Sequence, residues 1–218
     1  MALWPAIGHT LKIRLTVASI LSRAFIALMS LAVLGASFCF WMNGQTPASS
    51  DEPRFTRGNQ LLRPANYREW IWLSSGMGMA YTPHADETGE KNPSFDNVFV
   101  TRAAYRSFLE KGTWPDKTIL VLESRASLSK GSINHSGHFQ TALVGMEAEV
   151  KDESRFPGKW AFFDFSGSAK SATPIPASAA CYSCHARSGA VDNTFVQFYP
   201  TLLDIAKQKG TLKRVHSE

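Results

Sequence analysis

The sequence predicts an α+β fold: a mostly antiparallel β-sheet with flanking helices, preceded by one N-terminal transmembrane or signal segment. Three observations predict this class. Several short runs are rich in β-branched and aromatic residues, as strands are. Helical patterns are few and do not alternate with the strands as regularly as a parallel sheet requires. The composition, with 44% hydrophobic and 19% charged residues, is that of a globular chain.

The first element is the N-terminal segment, residues 1–42. Its run "AFIALMSLAVLGASFCFWM" (24–42) carries no charge, and about 20 apolar residues suffice to cross a bilayer. Lys12, Arg14 and Arg23 precede this run, so the positive-inside rule predicts that the rest of the chain is exported. We expect a periplasmic domain, tethered by residues 24–42 or released after signal cleavage. Outside the segment the chain is close to neutral, which argues against nucleic-acid binding.

Residues 43–60 are polar and rich in turn formers, which predicts a linker, and residues 61–218 then form the folded domain. Five segments of the domain predict strands: 67–81, 95–100, 118–126, 139–150 and 159–165. Within the fourth, alternate residues from Ala142 to Val150 form an apolar face, and Glu147 and Glu149 lie on the other face.

Three segments predict helices. Residues 101–112 can begin with Thr101 as the cap, present Phe108 on an apolar face and end at Gly112. Residues 200–210 begin with a proline and end with a glycine, which is the usual asymmetry of helix ends. A third helix is expected to carry the cysteine motif described next.

The stretch "ACYSCHARSG" (180–189) places Cys181, Cys184 and His185 in the order C-x-x-C-H, the signature of covalent haem c attachment. On one helical turn, the two thiols can reach both vinyl groups of a haem, and the histidine can ligate its iron. Three alternatives remain. A disulfide would close only a very small loop, a structural zinc site usually has a second ligand pair, and a redox dithiol usually follows a βαβ pattern.

If His185 is the proximal iron ligand, the sixth coordination position decides the function. Electron-transfer cytochromes fill it with Met or His, whereas catalysts and gas binders leave it open. The candidate ligands are Met77, Met79, Met146, His84, His135 and His138. None of them has a distinctive sequence context.

Four segments together resemble the cytochrome P-460 family: "NYREWIWLSSG", "WPDKTILVLE", "GMEAEVKDESRFPGKWAFFDF" and "CYSCHARSGAVDNTFVQFYPTL". The resemblance covers roughly Leu61 to Leu203. It implies an exported, homodimeric haem c protein with an antiparallel sheet, thioether links at Cys181 and Cys184, and iron bound by His185 with an open distal side. Enzymatic members oxidise hydroxylamine, with nitric oxide as a ligand or intermediate.

Two positions depart from the family pattern. The lysine that cross-links to the haem in the enzymatic members is matched here by Leu122, and Lys117 and Lys130 are poor replacements because of strand parity and distance. The resemblance is therefore closer to the cytochrome c-prime-beta branch, whose apolar distal pocket binds nitric oxide or carbon monoxide. A family arginine near the pocket is matched by Asp96, which could act as a proton acceptor.

The sequence thus predicts an exported mono-haem cytochrome with an open iron site that binds or detoxifies small nitrogen species such as nitric oxide. Its expected partners are that ligand, a periplasmic electron-transfer protein and a second copy of the chain. The alternatives are a hydroxylamine-oxidising enzyme and a six-coordinate electron carrier.

Overall fold

A computed structural model describes residues 51–81 and 92–213. The strands are β1 (Leu61–Leu62), β2 (Ile71–Met77), β3 (Phe95–Val100), β4 (Ile119–Leu128), β5 (Phe139–Lys151), β6 (Trp160–Asp164) and β7 (Ser171–Ala172). The helices are α1 (Arg102–Lys111), α2 (Ala180–Ser188) and α3 (Pro200–Lys209). Each predicted strand and helix is found, within a few residues of its expected bounds.

The main sheet has five strands in the order β2-β3-β4-β5-β6, and each neighbouring pair is antiparallel. Strands adjacent in sequence are therefore adjacent in space, as short connections favour. β1 and β7 form a separate antiparallel pair. The predicted fold, a mostly antiparallel sheet with flanking helices, is confirmed.

The predicted membrane or signal segment lies outside the described residues. Within residues 51–81 and 92–213, no helix has the length and apolar character needed to cross a bilayer.

The helix ends follow from their capping residues. The Thr101 side chain accepts a hydrogen bond from the Ala104 backbone N–H at 3.3 Å and so begins α1. Gly112 ends α1 at φ 75°, and Gly210 ends α3 at φ 68°. These left-handed conformations favour glycine because a Cβ would meet the following carbonyl.

The two faces of the main sheet bury separate cores. On the face that we call the helix face, α1 and α3 cover the strands, and Val100, Leu120 and Trp160 pack against Phe108 and Leu202. On the opposite face, segments before β2 and after β5 and β6 provide the cover. That core contains Leu61, Tyr67, Val121, Met146, Ala148, Phe156 and Phe163.

Packing on the opposite face begins before β1. The Phe55 ring lies 6.1 Å from the ring of Phe156 and 6.1 Å from that of Phe163. The Arg155 guanidinium lies 4.1 Å from the centre of the Phe55 ring. Residues 51–60, which the sequence assigns to a linker, thus contribute an aromatic anchor to the folded domain.

The apolar face of β5 is confirmed at Met146, Ala148 and Val150, which are buried, but not at Ala142 and Val144, which are exposed. The physical reason is a shift of register. Ser124 of β4 pairs with Gly145, whereas the next residue, Arg125, pairs with Leu143. The extra residue on β5 interrupts the alternation, as a β-bulge does.

Glu123 and Arg125 on β4 have the pattern of solvated strand positions, and for Glu123 this interpretation is wrong. Its side chain is only 4% exposed, and Tyr67, Arg68 and Arg125 donate hydrogen bonds to its carboxylate. Burial alone would raise the pKa of Glu123, but these donors lower it below its ordinary value. Arg68 lies far away in the sequence, so the strand pattern alone does not reveal the pairing.

Candidate functional site

The predicted attachment motif lies on α2, as expected. Cys181 and Cys184 are three residues apart, so they lie about one helical turn from each other on the same side of the helix. Both thiols are partly buried, and they are not joined in a disulfide. α2 itself has no buried residue, in contrast to α1 and α3. The motif is therefore held at the surface of the sheet and not within a core.

The His185 ring is fixed against the helix face. Its centre lies 4.4 Å from that of Phe162 on β6 and 4.5 Å from that of Phe195. Its Nδ1 lies 2.8 Å from the backbone oxygen of Asn193, which can only accept a hydrogen bond. In the neutral ring, Nδ1 then carries the proton and Nε2 keeps its lone pair for a metal.

The Glu149 carboxylate also faces this ring. Its Oε2 lies 3.3 Å from His185 Nδ1. Burial alone would lower the pKa of His185, but the Glu149 carboxylate and the Asn193 carbonyl raise it above its ordinary value. The sequence places Glu149 on the polar side of β5, and the structure shows that this side is the helix face.

The carbonyl that contacts His185 belongs to a tight turn over residues 191–194. Asp192 and Asn193 have φ values of 48° and 64°, as the two central residues of such a turn require. Trp114 holds this turn with two hydrogen bonds. Its backbone N–H donates to Asp192 Oδ2 at 3.0 Å, and its indole N–H donates to Thr194 Oγ1 at 2.8 Å.

Leu122 and His185 are brought to the same side of the sheet. Leu122 on β4 pairs with Val98 on β3 and with Glu147 on β5, and Glu147 pairs with Asp164 on β6. Paired residues point to the same face of a sheet. Val98 packs against the helix-face core, so the whole row lies on the helix face.

Asp96 lies on the helix face one step along the strands from this row. It pairs with Ser124, whose hydroxyl donates to Asp96 Oδ1 at 2.6 Å. Tyr81 is exposed, but neighbouring protein atoms partly desolvate its hydroxyl and raise its pKa, and the charges of Asp96 and Glu147 raise it further. Asp96 and Glu147 therefore lie close enough to Tyr81 for their charges to act on it.

Glu147, like Glu149 and Asn193, is a site residue that sequence reasoning missed. It is accessible to water, but surrounding protein atoms partly desolvate its carboxylate. This desolvation raises its pKa, and the nearby charges of Asp164 and Asp96 raise it further. A carboxylate with a raised pKa is a better base near neutral pH. The available signal was its pairing with Leu122, which required the strand register.

The candidate sixth ligands lie in different parts of the fold. Met146 is buried in the core of the opposite face. His135 and His138 follow the end of β4, and Leu128 at that end is about 20 Å along the strand from Leu122. His84 lies outside the described residues.

Two methionines remain near the end of β2. Met77 pairs with Phe95, and that pair faces away from the helix face. The Met79 side chain lies where a Cβ on Gly76 would point, and Gly76 pairs with Asp96 on the helix face. Met79 is therefore the methionine placed on the same face as His185.

The two lysines considered as substitutes at the Leu122 position lie elsewhere. Lys117 precedes β4 and donates hydrogen bonds to Asp152 and to Ser154 Oγ, the latter at 3.0 Å. Lys130 follows the end of β4.

The sequence model of the cytochrome P460 family matches residues 64–196, well over half of the chain. The chain belongs to the cytochrome P460 family. The family binds haem c covalently, so this chain is a haem c protein. A search of curated proteins finds no match.

The residues of the site fit a covalently bound haem. The motif helix offers two thiols on one side, and His185 has one ring nitrogen committed to Asn193 and the other uncommitted. Thiols for thioether links and a neutral imidazole for iron are the donor set that haem c requires.

Proposed function

We propose that Cys181 and Cys184 attach the haem, that His185 ligates its iron through Nε2, and that the other side of the iron is open to small nitrogen species such as nitric oxide. The observation that carries this proposal is the commitment of His185 Nδ1 to Asn193 at 2.8 Å, beside both thiols. A bound haem supplies an iron that can bind a diatomic gas or exchange electrons.

Leu122 supports the preference for a small neutral ligand. By the family resemblance it matches the position of the cross-linking lysine, and it lies on the helix face, partly buried. An apolar side chain there disfavours water and charged ligands, because it offers them no hydrogen bond. This is the basis for placing the chain near the cytochrome c-prime-beta type.

The test is the absorption spectrum of the haem-loaded protein, exported in a host with haem-attachment machinery. We expect a pyridine haemochrome of the c type and a high-spin ferrous spectrum that shifts on adding carbon monoxide or nitric oxide. Cys184→Ala should lose one thioether link, which moves the haemochrome band. A low-spin spectrum indifferent to carbon monoxide would overturn the open iron site.

Hydroxylamine oxidation is the second candidate function. Glu147, with its raised pKa, lies directly across from Leu122, and Asp96 lies one step away on the same face. Oxidation of hydroxylamine releases protons, which carboxylates can accept. If the chain is such an enzyme, turnover with an artificial electron acceptor should fall at least about tenfold in Glu147→Gln. A wild-type protein without turnover would exclude this candidate.

The electron-carrier alternative depends on Met79, which lies on the helix face. A carrier that uses this ligand would change from low to high spin in Met79→Ala. Met77→Ala is the matched control, because Met77 faces away from the helix face. Unchanged spectra in both variants would exclude Met79 as a ligand.

We also propose that the domain works in the periplasm as a homodimer and exchanges electrons with a partner protein there. The uncharged run 24–42, with basic residues before it, supports export. The β4–β5 hairpin supports self-association, because Ile133 is 89% exposed and Val144 is 60% exposed. Light scattering of the wild type and of Ile133→Asp with Val144→Asp would measure the association.

A further inference from the structure

Glu149 has a buried carboxylate oxygen without a hydrogen-bond donor. Among the side-chain atoms that the structure describes, only Glu149 Oε2 and Trp70 Nε1 are buried in this way. The Glu149 side chain is 12% exposed. A buried carboxylate without a compensating partner is costly, so its position calls for a nearby positive charge or polarised N–H group.

The polarised group beside this oxygen is His185 Nδ1, at 3.3 Å. The same nitrogen lies 2.8 Å from the Asn193 carbonyl oxygen. The Nδ1 proton therefore has a neutral acceptor at short distance and an anionic one slightly farther away. These acceptors come from different elements, since Asn193 belongs to the turn after α2 and Glu149 belongs to β5.

The other groups around Glu149 do not replace this contact. Its strand partners are Leu120 on β4 and Phe162 on β6, both apolar. Burial is the main reason that the pKa of Tyr199 lies well above its ordinary value, and the charge of the Glu149 carboxylate raises that pKa further. The Glu149 carboxylate thus lies within electrostatic range of the buried Tyr199 hydroxyl.

We propose that Glu149 is a positioning residue that makes His185 a stronger electron donor to the haem iron. The inference rests on the proposed function of His185 as the iron ligand. A carboxylate near the far nitrogen of a metal-bound imidazole increases the basicity of the ligating nitrogen. Asn193 fixes the orientation of the ring, and Glu149 supplies the charge. The consequence is a stabilised ferric state and a stiffer bond between iron and histidine.

The experiment compares Glu149→Gln with Glu147→Gln in the haem-loaded protein. Both variants remove one carboxylate from the helix face of β5, but among the described hydrogen bonds and ion pairs only Glu149 is paired with His185. The midpoint potential and the iron–histidine stretching band in resonance Raman spectra of the ferrous state are measured; if a sixth ligand is present, the band is recorded after photolysis of the carbon monoxide complex.

We expect the stretching band to shift to lower frequency and the potential to rise in Glu149→Gln. In Glu147→Gln, only the potential is expected to rise. An unmoved band in Glu149→Gln would overturn the inference, since a general charge effect alone would then account for the potential. If Glu149→Gln does not fold, as judged by circular dichroism, Glu149→Asp replaces it. That variant keeps the charge but withdraws it by one methylene, and its band should shift in the same direction.

The two proposals fail in different ways. If the wild-type chain attaches no haem, or if His185→Ala keeps the wild-type spectrum, the proposed function falls and the inference falls with it. If haem is attached through His185 and the Glu149→Gln band equals that of Glu147→Gln, only the inference falls.

Discussion

Gly189→Ala offers a sharp test of how the site is assembled, because α2 and the following turn approach each other at this residue. A Cβ at Gly189 would lie 2.6 Å from the Asn193 carbonyl carbon, 2.6 Å from the His185 oxygen and 2.8 Å from Asn193 Cα. All three atoms are backbone, so no flexible side chain can move aside. The backbone of Gly189 has φ −71°, which alanine accepts, so the effect is steric and not conformational.

The cost can be worked from two contributions. Forcing an extra carbon into a packed contact typically costs about 1–3 kcal/mol. Moving the turn away also weakens the hydrogen bond between His185 Nδ1 and the Asn193 carbonyl, which contributes about 1 kcal/mol. We therefore expect the free energy of unfolding to fall by about 2–4 kcal/mol, and the Tm to fall by roughly 4–16 °C for a domain of this size.

The assay is urea and thermal unfolding followed by circular dichroism, with Gly158→Ala as the matched control. A Cβ at Gly158 would meet no atom within 4 Å. That variant should be neutral or slightly stabilising, because alanine restricts the unfolded chain. Equal stability of the two variants would refute the close approach of the turn to α2, and with it the described placement of the Asn193 carbonyl.

Three further predictions concern the contacts that surround the site. Trp114→Phe removes the indole N–H that donates to Thr194 Oγ1 at 2.8 Å and should lower the free energy of unfolding, measured in urea, by about 2 kcal/mol. Glu123→Gln removes the buried anion that accepts hydrogen bonds from Tyr67, Arg68 and Arg125 and should cost about 2 kcal/mol in the same assay, whereas an exposed glutamate would give almost no change. Burial alone would raise the pKa of Asp152, but hydrogen bonds led by that from Lys117 lower it from 3.8 to about 2. Because the folded pKa is depressed, about 2 kcal/mol of stabilisation is present above pH 3.8 and lost as the pH falls toward 2, and Asp152→Asn should remove this pH dependence of the urea midpoint.

Sequence patterns were sufficient to predict the main strands, the helices and the position of the attachment motif. The strand at 95–100 was predicted without error because its β-branched and aromatic residues are bounded by turn formers, and the helix after it because Thr101 and Gly112 mark its ends. The motif residues carry a fixed spacing, so they needed no tertiary information. The interest in Leu122 came from the family resemblance, whereas its face of the sheet became known only with the strand register, which is regular between Ile119 and Ser124.

The remaining features depend on contacts between distant segments. Glu123 has a strand pattern typical of an exposed residue. It is a buried anion partly because Arg68, 55 positions earlier in the chain, donates a hydrogen bond to its carboxylate. The turn that presents the Asn193 carbonyl is held by Trp114, about 80 residues earlier in the chain. A bulge on β5 changes which residues face the core, and no local residue type announces it. Such contacts are set by tertiary packing and not by local propensity.

The carboxylates on the two faces of the sheet differ in whether arginine or lysine side chains pair with them. On the opposite face, Glu123 receives hydrogen bonds from both Arg68 and Arg125. On the helix face, the described ion pairs bring no lysine or arginine to Asp96 or Glu147. Partial desolvation raises the pKa of Glu147, and the charges of Asp164 and Asp96 raise it further. Desolvated carboxylates without a partner lower the stability of the fold unless a positive group pairs with them. A ferric haem held at His185 would be such a group, and this links the acidic character of the helix face to the chemistry proposed for it.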